Sequence, residues 1–157
     1  MNLFAINLMI AGGWVAVSGA FSGVSLLLGF AGGFVSLYAT RHLFGPTDYF
    51  RRTFATIGLI AYFLFDLARS SIAVVWEIIT PSMHSRPQMI RMPLDATEDL
   101  EIMLTGNLIS MTPGTLTVDV DPDRKYLLIH AMFVDDPEDT IRDLKRGMER
   151  RVLEALR

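Results

Sequence analysis

Three ionisable residues, Asp66, Arg69 and Glu77, stand inside a run that is otherwise apolar. Asp66 and Arg69 are three positions apart, a spacing at which side chains meet on one helix face. In a membrane segment such groups mark an ion path by default, because placing charge in hydrocarbon is costly. On a helix that meets water they form a solvated polar face. The second reading is preferred, and the first is kept as a specific expectation for Asp66, Arg69 and Glu77 as ion-path or subunit-contact residues.

The remaining chemically capable residues assemble no reaction centre. His130 falls in the middle of an apolar strand, where a packed or hydrogen-bonded imidazole is expected. Asp135 and Asp136 precede Pro137, the position of helix-capping carboxylates. Asp119, Asp121 and Asp123 alternate as calcium ligands do, but an EF-hand loop needs glycine at its sixth position and glutamate at its twelfth. Those positions hold Arg124 and His130, which excludes it. There is no nucleophile elbow, phosphate-binding glycine loop or HExxH pair. With no cysteine there is no disulfide and no thiolate metal site. The net charge of −3 gives no basic surface for nucleic acid. The expectation is a protein that is not an enzyme and holds no cofactor or metal.

The elements that position these residues are unequal in character. Met1–Thr40 contains no Asp, Glu, Lys, Arg or His, so all 14 Lys+Arg and all 17 Asp+Glu follow it. Asn2–Val17 and Phe21–Thr40 are apolar stretches joined by Ser18, Gly19 and Ala20. A transmembrane helix needs about 20 residues, so residues 1–44 are expected to form a two-helix transmembrane hairpin. No basic segment precedes the first stretch, which argues against a cleaved signal peptide. The second carries Ser22, Ser25, Gly29, Gly32 and Ser36 at spacings of three and four, and Gly29 with Gly33 makes GxxxG. Small residues allow close helix approach in lipid, so Ser25, Gly29, Gly32, Gly33 and Ser36 are expected to pack helices.

Residues 45–80 begin with a Gly45-Pro46-Thr47-Asp48 break and continue as one amphipathic helix. At about 100° per residue, Arg51, Arg52, Tyr62, Asp66, Arg69, Ser70 and Glu77 share an arc of roughly 160–260°. Ile57, Ile60, Phe63, Leu64, Leu67, Val74, Val75, Ile78 and Ile79 lie opposite, and Leu59 is the main exception. Insertion energy does not decide whether this helix crosses a bilayer. Between residues 51 and 80, 13 Leu, Ile, Phe and Val residues supply roughly −4 to −8 kcal/mol, which three buried charges would cancel. Arg41, His42, Arg51 and Arg52 precede it and Arg86 and Arg91 follow, so both ends carry the positive charge of cytoplasmic segments. An interfacial helix with its polar stripe facing water is favoured over a crossing one.

Residues 81–88 form a linker with two prolines, and 89–157 a small α+β domain of order βαββα. Met89–Leu94 reads as a strand. Asp95-Ala96-Thr97-Glu98 has a capping-box form opening a helix to about Ser110. Leu116, Val118 and Val120 alternate with polar residues as a half-buried strand. Tyr126–Val134 is a second strand, and Asp136-Pro137-Glu138 starts the last helix. About seventy residues make a marginal core, so the domain is expected to lean on the preceding helix or on a partner.

The run Asn107-Leu108-Ile109-Ser110-Met111-Thr112-Pro113-Gly114-Thr115-Leu116-Thr117-Val118-Asp119-Val120 resembles a signature of the E-type subunit of multisubunit Na+/H+ antiporters of the Mrp (Mnh) class. Leu128-Ile129-His130, Val134-Asp135-Asp136-Pro137 and Arg151–Arg157 are similar too, as is the order of hairpin, amphipathic segment and α+β domain. Met111 stands where leucine is more usual. The resemblance implies a multi-pass subunit of the cell (inner) membrane with a cytoplasmic C-terminal domain. Its partners would be membrane lipid and the other subunits of a complex that exchanges Na+ for protons and supports pH homeostasis. Asn107, Thr112, Pro113, Gly114 and Thr115 would be structural. The large subunits would carry the ion-translocating residues, leaving this chain an accessory, assembly-supporting role. A membrane-anchored adaptor that binds a soluble partner through the α+β domain is the alternative.

Overall fold

The computed structural model describes residues 2–81 and 85–157. The expected linker over 81–88 therefore lies partly, at 82–84, outside the described residues. The chain divides into two compact units, Met1–Arg51 and Arg52–Arg157.

The first unit is a helical hairpin of α1 (Leu3–Ser18) and α2 (Gly23–Ala39), followed by a short 3-10 turn, Arg41–Leu43. Asn2 caps α1 by accepting from the Ala5 N–H, and Gly19 ends it with φ of 66°, the left-handed conformation glycine tolerates. Ser22 caps α2 by accepting from the Ser25 N–H at 3.1 Å. The buried face of α2 is Ser25, Gly29, Gly33 and Leu37, a spacing of four throughout. A Cβ on Gly29 would lie 2.9 Å from the Trp14 Cβ and 3.0 Å from the Ala11 carbonyl oxygen, and one on Gly33 would collide with the Asn7 Oδ1. Gly32 and Ser36 lie off this face and are exposed. The contact ridge thus follows i, i+4 rather than the alternating spacing of three and four.

Asn7 is fully buried, and its Nδ2 donates to the Tyr49 hydroxyl at 2.7 Å. Leu3, Leu37 and Phe50 close the open end of the hairpin against Ile6, Phe34 and Tyr49. The two helices have 16 and 17 residues, about 24–26 Å at ~1.5 Å per residue, against hydrocarbon about 30 Å thick. Among the described residues, α3 (Tyr49–Ile79, 31 residues) is the one helix long and apolar enough to cross a membrane by length and composition.

The second unit carries α3 from Arg52 onward and the α+β domain. Strands β1 (Gln88–Pro93), β2 (Thr115–Val120) and β3 (Tyr126–Ala131) form an antiparallel sheet in the order β1-β3-β2. Helix α4 (Asp99–Met111) links β1 to β2. Two short helices, α5 (Pro137–Leu144) and α6 (Arg150–Leu156), flank a π-helical turn at Lys145–Glu149. The expected βαββα order is present, with the last helix interrupted by that turn. One sheet face supplies Ile90, Met92, Leu127, Ile129 and Ala131 to a core completed by Ile102, Ile109, Met148 and Val152.

Two local expectations differ from the structure. Strand β2 has the opposite phase. Leu116 and Val118 are 52% and 50% exposed, while Thr115 and Thr117 turn toward α4. The Thr117 hydroxyl donates to the Gly106 carbonyl at 3.0 Å, and a bulge follows between Thr117 and Asp119. A threonine that satisfies its hydroxyl on a helix carbonyl fills the inward position as well as valine does. Helix α4 also begins later: Glu98, not Asp95, is its cap, paired with Glu101 in a capping box. Asp136 caps α5, accepting from the Glu138 N–H at 2.7 Å.

The close approach of the hairpin helices makes a direct prediction. Gly29→Val overpacks the contact and should cost roughly 1–3 kcal/mol, while Gly32→Ala, with nothing within 4 Å of its Cβ position, should be neutral. Thermal unfolding of the detergent-solubilised chain, followed by tryptophan fluorescence, distinguishes the two.

Candidate functional site

The polar arc of α3 is turned toward the chain's own domain. Leu59, the exception to the amphipathic pattern, is 7% exposed and belongs to the domain core. Ala55, Tyr62 and Phe63 pack against the same cluster. Within the stripe expected to face water, Tyr62 and Asp66 are half-buried beside the domain, while Arg51, Arg52 and Arg69 remain exposed. The opposite face leaves Phe54, Ile57, Ile60, Leu64, Phe65, Ile72, Val75, Trp76, Ile78 and Ile79 exposed.

Tyr62 is the central contact. Its ring lies under the Arg151 guanidinium, 3.9 Å from carbon to ring centroid, a cation–π stack. Gly147 faces its hydroxyl so closely that any Cβ there would collide with it. Arg151 is held by Nη1 donating to the carbonyls of Arg146 and Gly147 at 3.0 and 2.8 Å. The widened π turn makes this possible. It buries three consecutive residues: Gly147 toward Tyr62, Met148 in the core and Glu149 toward β1's exit loop.

Beside Tyr62 lies a cleft of about 450 Å³ lined by Asp66, Arg69, Phe133, Thr140, Asp143, Leu144, Arg146 and Met148. The structure therefore brings Asp66 and Arg69 together with Asp143 and Arg146, to which no spacing rule linked them. Glu77 is separate: its Oε1 accepts the Ser85 N–H at 2.8 Å and holds the chain as it leaves α3.

Two buried carboxylates tie the domain's first loop. Glu149, 1% exposed, accepts the Asp95 and Ala96 N–H groups through Oε1 at 2.7 and 3.1 Å. Glu101, 3% exposed, accepts those of Thr97 and Glu98 through Oε2 at 3.0 and 3.2 Å. Four consecutive amides thus find carboxylate acceptors. Arg157 reaches Glu101 from the C-terminus, with Nε 2.8 Å from Oε1 and Nη2 3.0 Å from Oε2. The Arg157 bond, aided by the loop amides against the effect of burial, holds the Glu101 carboxyl down at about 2. Glutamates in helices read as surface residues, so neither was visible beforehand.

Thr112, Pro113 and Gly114 connect α4 to β2, Thr115 opens β2, and Asn107 lies within α4. Thr112 caps α4, its N–H reaching the Ile109 carbonyl at 3.2 Å and its hydroxyl donating to the Leu108 carbonyl at 3.1 Å. The Thr115 hydroxyl donates to the Ile109 carbonyl at 2.7 Å. Gly114 has φ of 91°, and its carbonyl accepts the Met132 N–H at 2.7 Å, docking the turn onto β3's exit. Asn107 is exposed. His130 lies on the uncovered sheet face, exposed between Met89 and Leu116 in register, not packed as expected. Among the described residues no group of three or more His, Asp or Glu side chains is placed to hold a metal.

Residues 7–155 match the family model described as Na+/H+ ion antiporter subunit. The chain is similar to the E-type Na+/H+ antiporter subunit of Alkalihalophilus pseudofirmus, 36% identical over 96% of this chain and 95% of that one. It is 30% identical to the E-type subunit of Bacillus subtilis, over 97% and 96%. Among solved structures, a chain of the Mrp complex from Dietzia sp. DQ12-45-1b aligns with TM-score 0.51 and 26% identity, covering 65% of this chain and 96% of that one. A chain of an archaeal membrane-bound sulfane sulfur reductase has the same fold, with TM-score 0.57, 20% identity and 96% of each chain covered.

The Tyr62 contact and the Glu101 carboxylate each make a prediction. Gly147→Ala should push Tyr62 off the π turn and raise hydrogen exchange along residues 55–66, and Tyr62→Phe should partly reverse the increase. A Glu101 carboxyl that titrates at about 2 rather than 4.5 contributes stability above pH ~4.5 that is lost as pH falls toward 2. The thermal midpoint of the wild-type chain should therefore fall more steeply across that window than that of Glu101→Gln.

Proposed function

The chain belongs to the Na+/H+ ion antiporter subunit family, and from that premise we propose that it is the accessory E-type subunit of a multisubunit cation:proton antiporter in the cell membrane. Its uncharged hairpin docks against neighbouring subunits within the bilayer. Helix α3 lies in the cytoplasmic interface, and the α+β domain braces the complex on the cytoplasmic side. One observation carries the accessory reading: Tyr62 and Glu77 of α3 are engaged by other residues of the chain's own second unit. Tyr62 is under Arg151 and Glu77 holds Ser85, while the first unit's two helices contain no Asp, Glu, Lys, Arg or His. Among the described residues the titratable groups thus form no continuous series for a proton to follow. On this reading Asp66 and Arg69 serve contacts rather than an ion path.

Charge at both ends of α3 supports the interfacial placement, as does its uncovered apolar face. Phe65, 64% exposed near the middle of α3, reports on it. In a chain whose only tryptophan is introduced by Phe65→Trp, with Trp14→Phe and Trp76→Phe, lipids brominated near the headgroup should quench more than lipids brominated near the chain end. The reverse order would mean that α3 crosses the bilayer. Deleting residues 89–157 should abolish recovery of the assembled antiporter. Normal assembly and Na+ export without them would defeat the bracing role.

A further inference from the structure

The cleft beside Tyr62 holds a balanced set of charges that form no close ion pair with one another. Asp66, Arg69, Asp143 and Arg146 all line it. Among the described residues none of the four has an ion-pair partner within 4 Å. The other cation at the site, Arg151, is already committed to Tyr62 and to two carbonyls. Two carboxylates and two guanidiniums facing one open volume suit a ligand that carries both signs. A simple anion would be repelled by Asp66 and Asp143, and a simple cation by Arg69 and Arg146.

The surroundings narrow the ligand further. The cleft shares Arg69 and Phe133 with a second groove of about 450 Å³ that runs along α3 past Ile72, Ala73 and Trp76. That groove is apolar apart from Arg69 and Glu77. It opens beside the exposed apolar face of α3. A charged cleft that continues into an apolar groove on a membrane-facing helix has the form of a phospholipid site.

We propose that this cleft binds a zwitterionic phospholipid whose headgroup bears a primary ammonium, of the phosphatidylethanolamine class. Arg69 and Arg146 take the phosphate, since guanidinium forks match its oxygens. Asp66 and Asp143 take the ammonium, which has three N–H donors. The first part of one acyl chain lies along Ile72, Ala73 and Trp76. The lipid fills the cleft that α3 shares with α5 and the π turn and so fastens the domain to the membrane. This rests on the proposed interfacial position of α3.

Native mass spectrometry of the delipidated full-length chain in detergent tests it, with phosphatidylethanolamine, phosphatidylcholine and phosphatidylglycerol as probes. Phosphatidylethanolamine should be retained about tenfold more strongly than the choline lipid, whose ammonium has no N–H, and than the anionic glycerol lipid. Asp66→Asn with Asp143→Asn should erase the preference for ethanolamine over glycerol while still retaining lipid. Arg69→Gln with Arg146→Gln should weaken both. Misfolding would lose every lipid together and could not produce the first pattern, so the carboxylate variant keeps the test decisive. Equal retention of the three lipids by the wild-type chain, or an ethanolamine preference unchanged in the carboxylate variant, overturns the proposal. The binding is read in detergent, so its failure is distinct from a failure of the Phe65→Trp depth measurement, which concerns only where α3 lies.

Discussion

Helix α3 has two unlike faces, and the second unit is arranged around which of them is covered by protein. At about 100° per residue, Leu59, Tyr62 and Asp66 fall on one side and Ile57, Ile60 and Leu64 on the other. The domain takes the first side. Leu59 enters its core, Tyr62 stacks under Arg151, and Asp66 and Arg69 border the charged cleft. On the other side Ile57, Ile60, Leu64 and Phe65 stay exposed, a surface suited to lipid or to neighbouring subunits.

The domain that receives α3 depends on polar as well as apolar burial. Its sheet presents only one covered face, a small core for a chain of this length. Glu101 and Glu149 add order by accepting four successive amides of the loop between β1 and α4. Buried carboxylates need compensating partners: Glu101 has loop amides and Arg157, while Glu149 has two loop amides on Oε1 and the Lys145 ammonium 3.8 Å from Oε2. The π turn is the local device that serves both needs. It places Glu149 toward this loop and Gly147 toward Tyr62 from adjacent positions. Such turns occur in functional settings because they redirect side chains that a regular helix would leave elsewhere.

Much of the architecture was legible. The charge-free first forty residues, the Gly19 turn, the amphipathic period of α3 and the order of strands and helices all follow from patterns that local physics enforces. The Thr112–Thr115 signature was legible for the same reason: a glycine with positive φ and two capping threonines define a turn almost by themselves. Leu59 was visible as an anomaly, and its meaning came from the packing. An apolar residue in a polar arc is where a helix enters a neighbouring core.

What the linear chain determined, then, is the character of each segment, because composition and period are properties of the segment alone. Tertiary structure decided which surfaces meet. A polar arc is satisfied equally by water or by a polar protein surface, so the sequence did not say that α3 turns Tyr62 and Asp66 toward the domain. Gly32 and Gly33 differ by one position, and only the approach of α1 selected Gly29 with Gly33. Thr117 and Val118 both suit a strand, and the phase was set by a hydroxyl reaching the Gly106 carbonyl. The cleft of Asp66, Arg69, Asp143 and Arg146 joins residues more than seventy positions apart. No spacing rule reaches that far, so the charges of α3 acquire their neighbours only when the domain folds back against the helix.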